Sequence, residues 1–167
     1  MHTDLTPLIA ATTRWLTGAY PSSGGAASQA LCEAQARQAV TVAARLRYPT
    51  SADAALVAMA GPGGSGRLDT LAGPDGSGDG GRHAWRSWVD EVVASWAACL
   101  LASPALAAAA VGALGDEASA YRRLTAPGAR DLAAAALLRH PDLVRPVAAL
   151  HGGGLAGRLG AGPALAC

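Results

Sequence analysis

Apolar residues recur at intervals of three and four along most of the chain, which is the spacing of one face of an α-helix. A first helix is predicted to begin at Thr6-Pro7 and to end between Gly18 and Pro21. The next helix, up to Tyr48-Pro49, has small residues along one face. These are Cys32, Ala36, Ala39, Ala43 and Leu46. Such a narrow stripe predicts close helix–helix packing.

The opposite face of this second helix is polar. Glu33 and Arg37 stand four positions apart, which is the correct spacing for an ion pair on a helix. Beyond Pro49, Ser51 can cap a short third helix over 52–60.

The strongest helical pattern covers 83–102. We predict one continuous helix here, with Trp85, Trp88 and Trp96 inside a narrow arc. Ser103-Pro104 has the form of an N-cap followed by a first-turn proline, so a new helix should begin there and end at Gly115.

Shorter helices are predicted after Gly115, including one over 129–139 and one that stops at Gly152-Gly153-Gly154. No segment alternates between apolar and polar residues as a half-buried strand does. We therefore predict an all-α fold, an irregular bundle of about six or seven helices.

The predicted domain organisation is simple. Residues 1–151 form a single helical domain, and 152–167 form a Gly/Ala-rich tail. Within the domain, 61–82 is rich in Gly, Ser, Pro and Asp and lacks apolar periodicity, so it is predicted to be a flexible loop or lid.

Composition narrows the functional classes. About a quarter of the residues are Ala and every cationic side chain is Arg, a bias typical of GC-rich bacterial coding. The net charge is +1, and no cluster of Arg exceeds the pair Arg122-Arg123, so nucleic acid is an unsuitable partner.

Cysteine spacing gives no sign of metal or disulfide chemistry. Cys32, Cys99 and Cys167 are far apart, and no CxxC pair occurs. We expect no metal site, no cofactor and a reducing, cytoplasmic setting.

One segment is long enough to cross a bilayer. Residues 92–115 carry no charge over 24 positions. Because Ser103-Pro104 divides this segment, two buried helices explain it better than a membrane span does, and membrane association stays an alternative.

The titratable residues with most chemical interest are His83, Asp90 and Glu91. His83 stands where the Gly-rich loop meets the predicted tryptophan-bearing helix, so it could act as a general acid/base in a pocket. The simpler interpretation is that His83 flanks the helix and that the two carboxylates form its solvated face. His140 and His151 are interpreted as helix-end residues.

Two other groups could bind a ligand. Trp85, Trp88 and Trp96 could line an apolar cavity, with Tyr121 and Arg122 as its polar end. The segment 61–67 resembles a phosphate loop, but a glycine-rich linker gives such a match by chance.

Two functional classes follow, and a third stays open. The favoured hypothesis is a small non-catalytic helical accessory or ligand-binding protein whose tryptophan face takes a small apolar molecule, a partner helix or a second copy of the chain. The alternative is a small cofactorless enzyme that uses His83, with 61–82 as its lid. The third is membrane association through 92–115.

Overall fold

The computed structural model describes residues 4–73 and 80–160, with side chains in the second range from Ala84 onward. Every regular element within these ranges is a helix, which confirms the all-α prediction. The α-helices are α1 (Thr6–Ala19), α2 (Ala26–Arg47), α3 (Ser51–Ala60), α4 (Gly66–Ala72), α5 (Glu91–Ala102), α6 (Pro104–Ala113), α7 (Arg122–Thr125), α8 (Ala129–Ala134), α9 (Ala136–Arg139) and α10 (Pro141–Arg158). Two 3₁₀ segments, Gly80–Trp88 and Ala118–Tyr121, complete them.

The centre of the bundle is α5. All its residues from Val93 to Leu101 are buried, and its most extensive contacts are with α2 and α10. A helix that is apolar all round is stable only when it is enclosed in this way.

The small-residue face of α2 lies against the core, as the sequence predicts. Cys32, Ala36, Ala39 and Ala43 are all buried. On the exposed face, Glu33 and Arg37 form the expected ion pair at 3.0 Å.

Ser103 divides the uncharged segment 92–115 as predicted. Its hydroxyl accepts a hydrogen bond from the backbone N–H of Leu106 (3.2 Å), and Pro104 opens α6. In the described part of the chain, no helix combines the length and the apolar character that a bilayer span requires.

The prediction of one continuous helix over 83–102 is wrong. The chain forms the 3₁₀ segment Gly80–Trp88 and then restarts as α5, with Asp90 as its N-cap. The Asp90 carboxylate accepts the N–H of Val93 (2.9 Å), so the helix begins at a capping residue that the tryptophan pattern obscured.

Part of the predicted loop 61–82 is helical instead. Leu68 of α4 is fully buried, and the Asp69 carboxylate accepts a hydrogen bond from the indole Nε1 of Trp15 at 2.6 Å. These two contacts attach α4 to the bundle, which outweighs the poor helix propensity of its glycine-rich surroundings. Residues 74–79 lie outside the described ranges.

The helix that was predicted to stop at Gly152 continues to Arg158. Gly152 is buried, and a side chain at Gly154 would begin 3.6 Å from the ring of Trp96. That distance is an ordinary van der Waals contact, so it does not itself require glycine. The packing of α10 against α5 outweighs the low helix propensity of the glycines at 152–154. The helix thus covers 152–158 of the predicted tail, and 161–167 lie outside the described residues.

Two glycines near the end of α6 predict opposite responses to alanine. Gly115 has a positive φ of 72°, so Gly115→Ala should lower the free energy of unfolding by about 1 kcal/mol. Gly112 is helical with open space around it, so Gly112→Ala should raise that free energy by roughly 0.5–1 kcal/mol. Urea unfolding of the two variants checks this, and two changes of the same sign would contradict it.

Candidate functional site

Glu91, the first residue of α5, joins side chains from two other helices. One of its carboxylate oxygens, Oε1, lies 2.6 Å from Nε2 of His151 on α10 and 2.5 Å from Nη2 of Arg67 on α4. The other oxygen accepts a second hydrogen bond from Nε of Arg67 (3.1 Å). One carboxylate therefore holds an imidazole and a bidentate guanidinium together.

The backbone of His151 is fixed from the side of α5. Its N–H donates to the hydroxyl of Ser95 (2.9 Å), and its carbonyl accepts the indole N–H of Trp96 (2.9 Å). The Ser95 hydroxyl in turn donates to the carbonyl of Ala148 (3.0 Å). Because Ser95 and Trp96 are both buried, these contacts fix the backbone of His151 against the core.

Glu91 is an ionised carboxylate at neutral pH. The Arg67 hydrogen bond holds its pKa below the ordinary value of 4.5, against the opposing effect of partial burial, and the hydrogen bond to His151 lowers the pKa further. Nη2 of Arg67 also lies 3.4 Å from Nε2 of His151, so the imidazole stands beside both the carboxylate and the guanidinium.

A second acidic pair lies beside the first. Asp90 is 2 % exposed, and its carboxylate accepts a hydrogen bond from the hydroxyl of Tyr48 at 2.5 Å. Burial and then the Asp90 contact raise the pKa of Tyr48, so its hydroxyl stays protonated and donates. The backbone N–H of Asp90 donates to Thr12 (3.3 Å), which anchors the turn before α5.

These two pairs line one open cleft of about 280 Å³. Its walls come from the end of α2, the loop between α3 and α4, the start of α5 and the middle of α10. The lining residues are Arg47, Tyr48, Gly63, Gly64, Asp90, Glu91, Val92 and His151. The carbonyl of Gly63 accepts the N–H of Glu91 (3.0 Å), which closes the loop onto α5. The volume is suitable for a small polar molecule.

The predicted catalytic residues are only partly brought together. Asp90 and Glu91 both line the cleft, but Asp90 is chiefly the N-cap of α5. The backbone at His83 belongs to the 3₁₀ segment, and its side chain lies outside the described part of the structure. The described imidazole that faces Glu91 is His151.

The three tryptophans do not share one helix face. Trp96 is on α5, only 5 % exposed, and bonded through its indole to His151. Trp85 lies on the 3₁₀ segment, with the guanidinium groups of Arg14 and Arg86 at 5.5 and 5.7 Å from its ring centre. Trp88 is half-buried on the same segment. Their role in binding a ligand stays a prediction.

Tyr121 and Arg122 are neighbours in sequence but take separate roles. The Tyr121 hydroxyl accepts a hydrogen bond from Arg45 (3.1 Å), and Arg45 also pairs with Asp116. Arg122 is exposed and lines a different cleft, between α2 and α8.

Sequence reasoning missed His151, Arg67 and Tyr48 as site residues. The interpretation of His151 as a helix-end residue is wrong, since it lies inside α10. Glu91 and His151 are 60 positions apart in the sequence, so no local spacing could reveal the pair. Among the residues that the structure describes, no group of three or more His, Cys, Asp or Glu side chains could hold a metal ion.

No protein-family model, curated protein or solved structure matches the chain. The site's geometry is therefore the basis for assigning a function.

The Glu91 contacts predict how stability depends on pH. A carboxyl group whose folded pKa is lowered stabilises the fold above its unfolded pKa and loses that contribution as pH falls through its folded pKa. The difference in free energy of unfolding between the native chain and Glu91→Gln should therefore shrink between about pH 7 and about pH 3. Urea unfolding at both pH values measures it.

The same comparison in a chain that carries Arg67→Gln tests the contribution of the guanidinium. In the Arg67→Gln variant the main cause of the lowered pKa is gone, so the pH dependence of the Glu91→Gln effect should be smaller. A pH dependence that is the same with and without Arg67 would contradict the role assigned to the guanidinium.

Proposed function

We propose that this protein is a small cofactor-independent enzyme that moves protons on a small polar substrate, with His151 as general acid/base and Glu91 as the residue that orients it. The observation that carries the proposal is the His151–Glu91 contact at 2.6 Å on the wall of a cleft. An imidazole held by a carboxylate is a recurrent arrangement for acid/base catalysis. It replaces His83 in the enzymatic hypothesis drawn from the sequence.

The surroundings of the pair support proton transfer. The hydroxyl of Tyr48 is already engaged with the Asp90 carboxylate, so this pair forms a fixed polar side of the cleft. Val92 lines the cleft in the first turn of α5, where backbone N–H groups have no intrahelical acceptor. A carbonyl or carboxyl oxygen of a substrate would accept a hydrogen bond from that N–H.

Comparing the metabolites consumed by three forms of the protein tests the proposal. A mixture of small polar metabolites is incubated with the native chain, with His151→Gln and with His140→Gln, and is analysed by mass spectrometry. His140 is the matched control because it is an exposed histidine whose side chain makes no capping hydrogen bond. We expect at least one compound to be consumed by the native chain and the control but not by His151→Gln. Equal consumption by all three forms, or none by the native chain, would overturn the proposal.

A second candidate is non-catalytic binding of a small apolar molecule or a partner helix. It is favoured by one observation, which is that Trp85 and Trp88 are half-buried three positions apart on a 3₁₀ segment. Side chains with that spacing eclipse one another in a 3₁₀-helix and so share one face. Quenching of tryptophan fluorescence by an apolar ligand, reduced in Trp88→Ala, would support this candidate.

A further inference from the structure

Three arginine side chains line a second cleft, which is separate from the Glu91–His151 cleft. It has a volume of about 470 Å³ and lies between α2, the 3₁₀ segment Ala118–Tyr121, α7 and α8. The lining residues are Leu31, Gln38, Ser119, Arg122, Arg123, Arg130 and Asp131. Nothing proposed for the other cleft depends on it.

The charge in this cleft is incompletely balanced by the protein. Arg123 pairs with Asp131 at 2.7 Å, and the other oxygen of Asp131 accepts the N–H of Gly128 (3.0 Å). Arg122 and Arg130 are exposed, and no carboxylate of the described chain pairs with either of them. Three guanidinium groups and one carboxylate leave two positive charges on the lining residues.

One further acidic residue lies at the margin. Glu117 accepts a hydrogen bond from the hydroxyl of Ser119 at 3.2 Å, and it does not line the cleft. Its carboxylate lowers the positive potential at the Ser119 side, so the excess of positive charge lies toward the three arginines.

The backbone that carries these arginines is held in place. The side chain of Gln38 on α2 donates to the carbonyl of Ala120 (3.3 Å) and accepts the N–H of Leu124 (3.0 Å), so it joins α2 to both sides of the arginine pair. The buried Arg139 donates to the carbonyl of Arg123 (2.6 Å). Only the arginine side chains, and not the walls, would need to be ordered when a ligand binds.

We propose that this cleft is a binding site for the phosphate group of a small phosphorylated molecule. A phosphate monoester carries about −1.5 to −2 charges at neutral pH, which matches the excess on the lining residues. Guanidinium groups bind phosphate oxygens with paired hydrogen bonds. The cleft is larger than a phosphate ion requires, so the remainder has room for the organic part of the ligand.

Titration with inorganic phosphate, followed by NMR of the ¹⁵N-labelled chain, tests the site. Sodium chloride at equal ionic strength is the blank, and succinate tests whether a dicarboxylate binds instead. We expect saturable shifts at Ser119, Arg122 and Arg130 with phosphate only. Shifts that chloride reproduces, or saturation with succinate alone, would overturn the proposal.

Two double variants that remove the same charge distinguish a specific phosphate site from non-specific attraction of phosphate to a positively charged protein. Arg122→Gln/Arg130→Gln should weaken phosphate binding at least tenfold, while Arg145→Gln/Arg158→Gln removes the same charge from α10 and should leave it unchanged. All four side chains are exposed, so both double variants should fold, and their thermal unfolding by circular dichroism checks this. Equal weakening in the two double variants would show that the site does not exist.

Discussion

Replacing His151 by glutamine is expected to lower kcat by roughly 10²–10⁴-fold on any compound that the native chain consumes. Glutamine keeps a polar side chain but cannot exchange a proton near neutral pH. Because the proposal assigns proton transfer to the imidazole, the loss should fall on kcat rather than on KM. Steady-state kinetics with the consumed compound measures kcat and KM separately.

Two further variants make the interpretation specific. Glu91→Gln should lower kcat less than His151→Gln does, because it removes the orienting charge but leaves the imidazole in place. His140→Gln should change neither constant. A His151→Gln variant with native kcat and a raised KM would show that the imidazole binds the substrate but does not transfer the proton.

Replacing Arg139 by methionine is expected to lower the free energy of unfolding by about 3–5 kcal/mol. Arg139 is 8 % exposed, and its guanidinium donates to Gln35 Oε1 (2.5 Å) and to the carbonyls of Leu101 (3.0 Å) and Arg123 (2.6 Å). Each acceptor left unpaired in the interior costs about 1–3 kcal/mol, and removal of a desolvated charge offsets part of this loss.

Urea unfolding at neutral pH measures this effect against a surface control. Arg145→Met removes an exposed ion pair with Asp142 and should change the free energy of unfolding by less than about 1 kcal/mol. If Arg139→Met were as stable as Arg145→Met, the interior network would not contribute to the fold as described.

The periodic pattern predicts helices well where residue spacing and capping within one segment define the ends and the apolar face of the helix. The small-residue face of α2 and the division at Ser103-Pro104 follow from spacing and capping alone, and both are confirmed. The Ser103 cap is a contact between residues three positions apart, and the face of α2 is defined by residues three and four positions apart, which is the range over which sequence patterns act.

Tertiary contacts decide the elements that the pattern predicts wrongly. Leu68 and the Trp15–Asp69 hydrogen bond stabilise a helix within a glycine-rich segment, and packing against α5 continues α10 through the glycines at 152–154. Intrinsic propensity is a weak preference that such contacts override. The spacing of three positions between Asp90 and Val93 fits an N-cap, but the regular tryptophan spacing around it favours one long helix.

The candidate site could be predicted only in part, because it too depends on tertiary contacts. The sequence singles out Asp90 and Glu91 as titratable residues, but it places them inside a helix over 83–102 and not at the start of α5. Their partners, Tyr48 and His151, come from helices 42 and 60 positions away. Those partners are brought together by the packing of α2 and α10 against α5, which no spacing in the sequence records.

The most direct test of the Glu91–His151 cleft is an NMR titration of the ¹⁵N-labelled chain with a library of small polar compounds. The cleft predicts saturable shifts at the amides of Gly63, Gly64 and Val92, which disappear in His151→Gln and persist in His140→Gln. A binding compound whose largest shifts fall on the indole signals of Trp85 and Trp88, and whose affinity His151→Gln leaves unchanged, would contradict it.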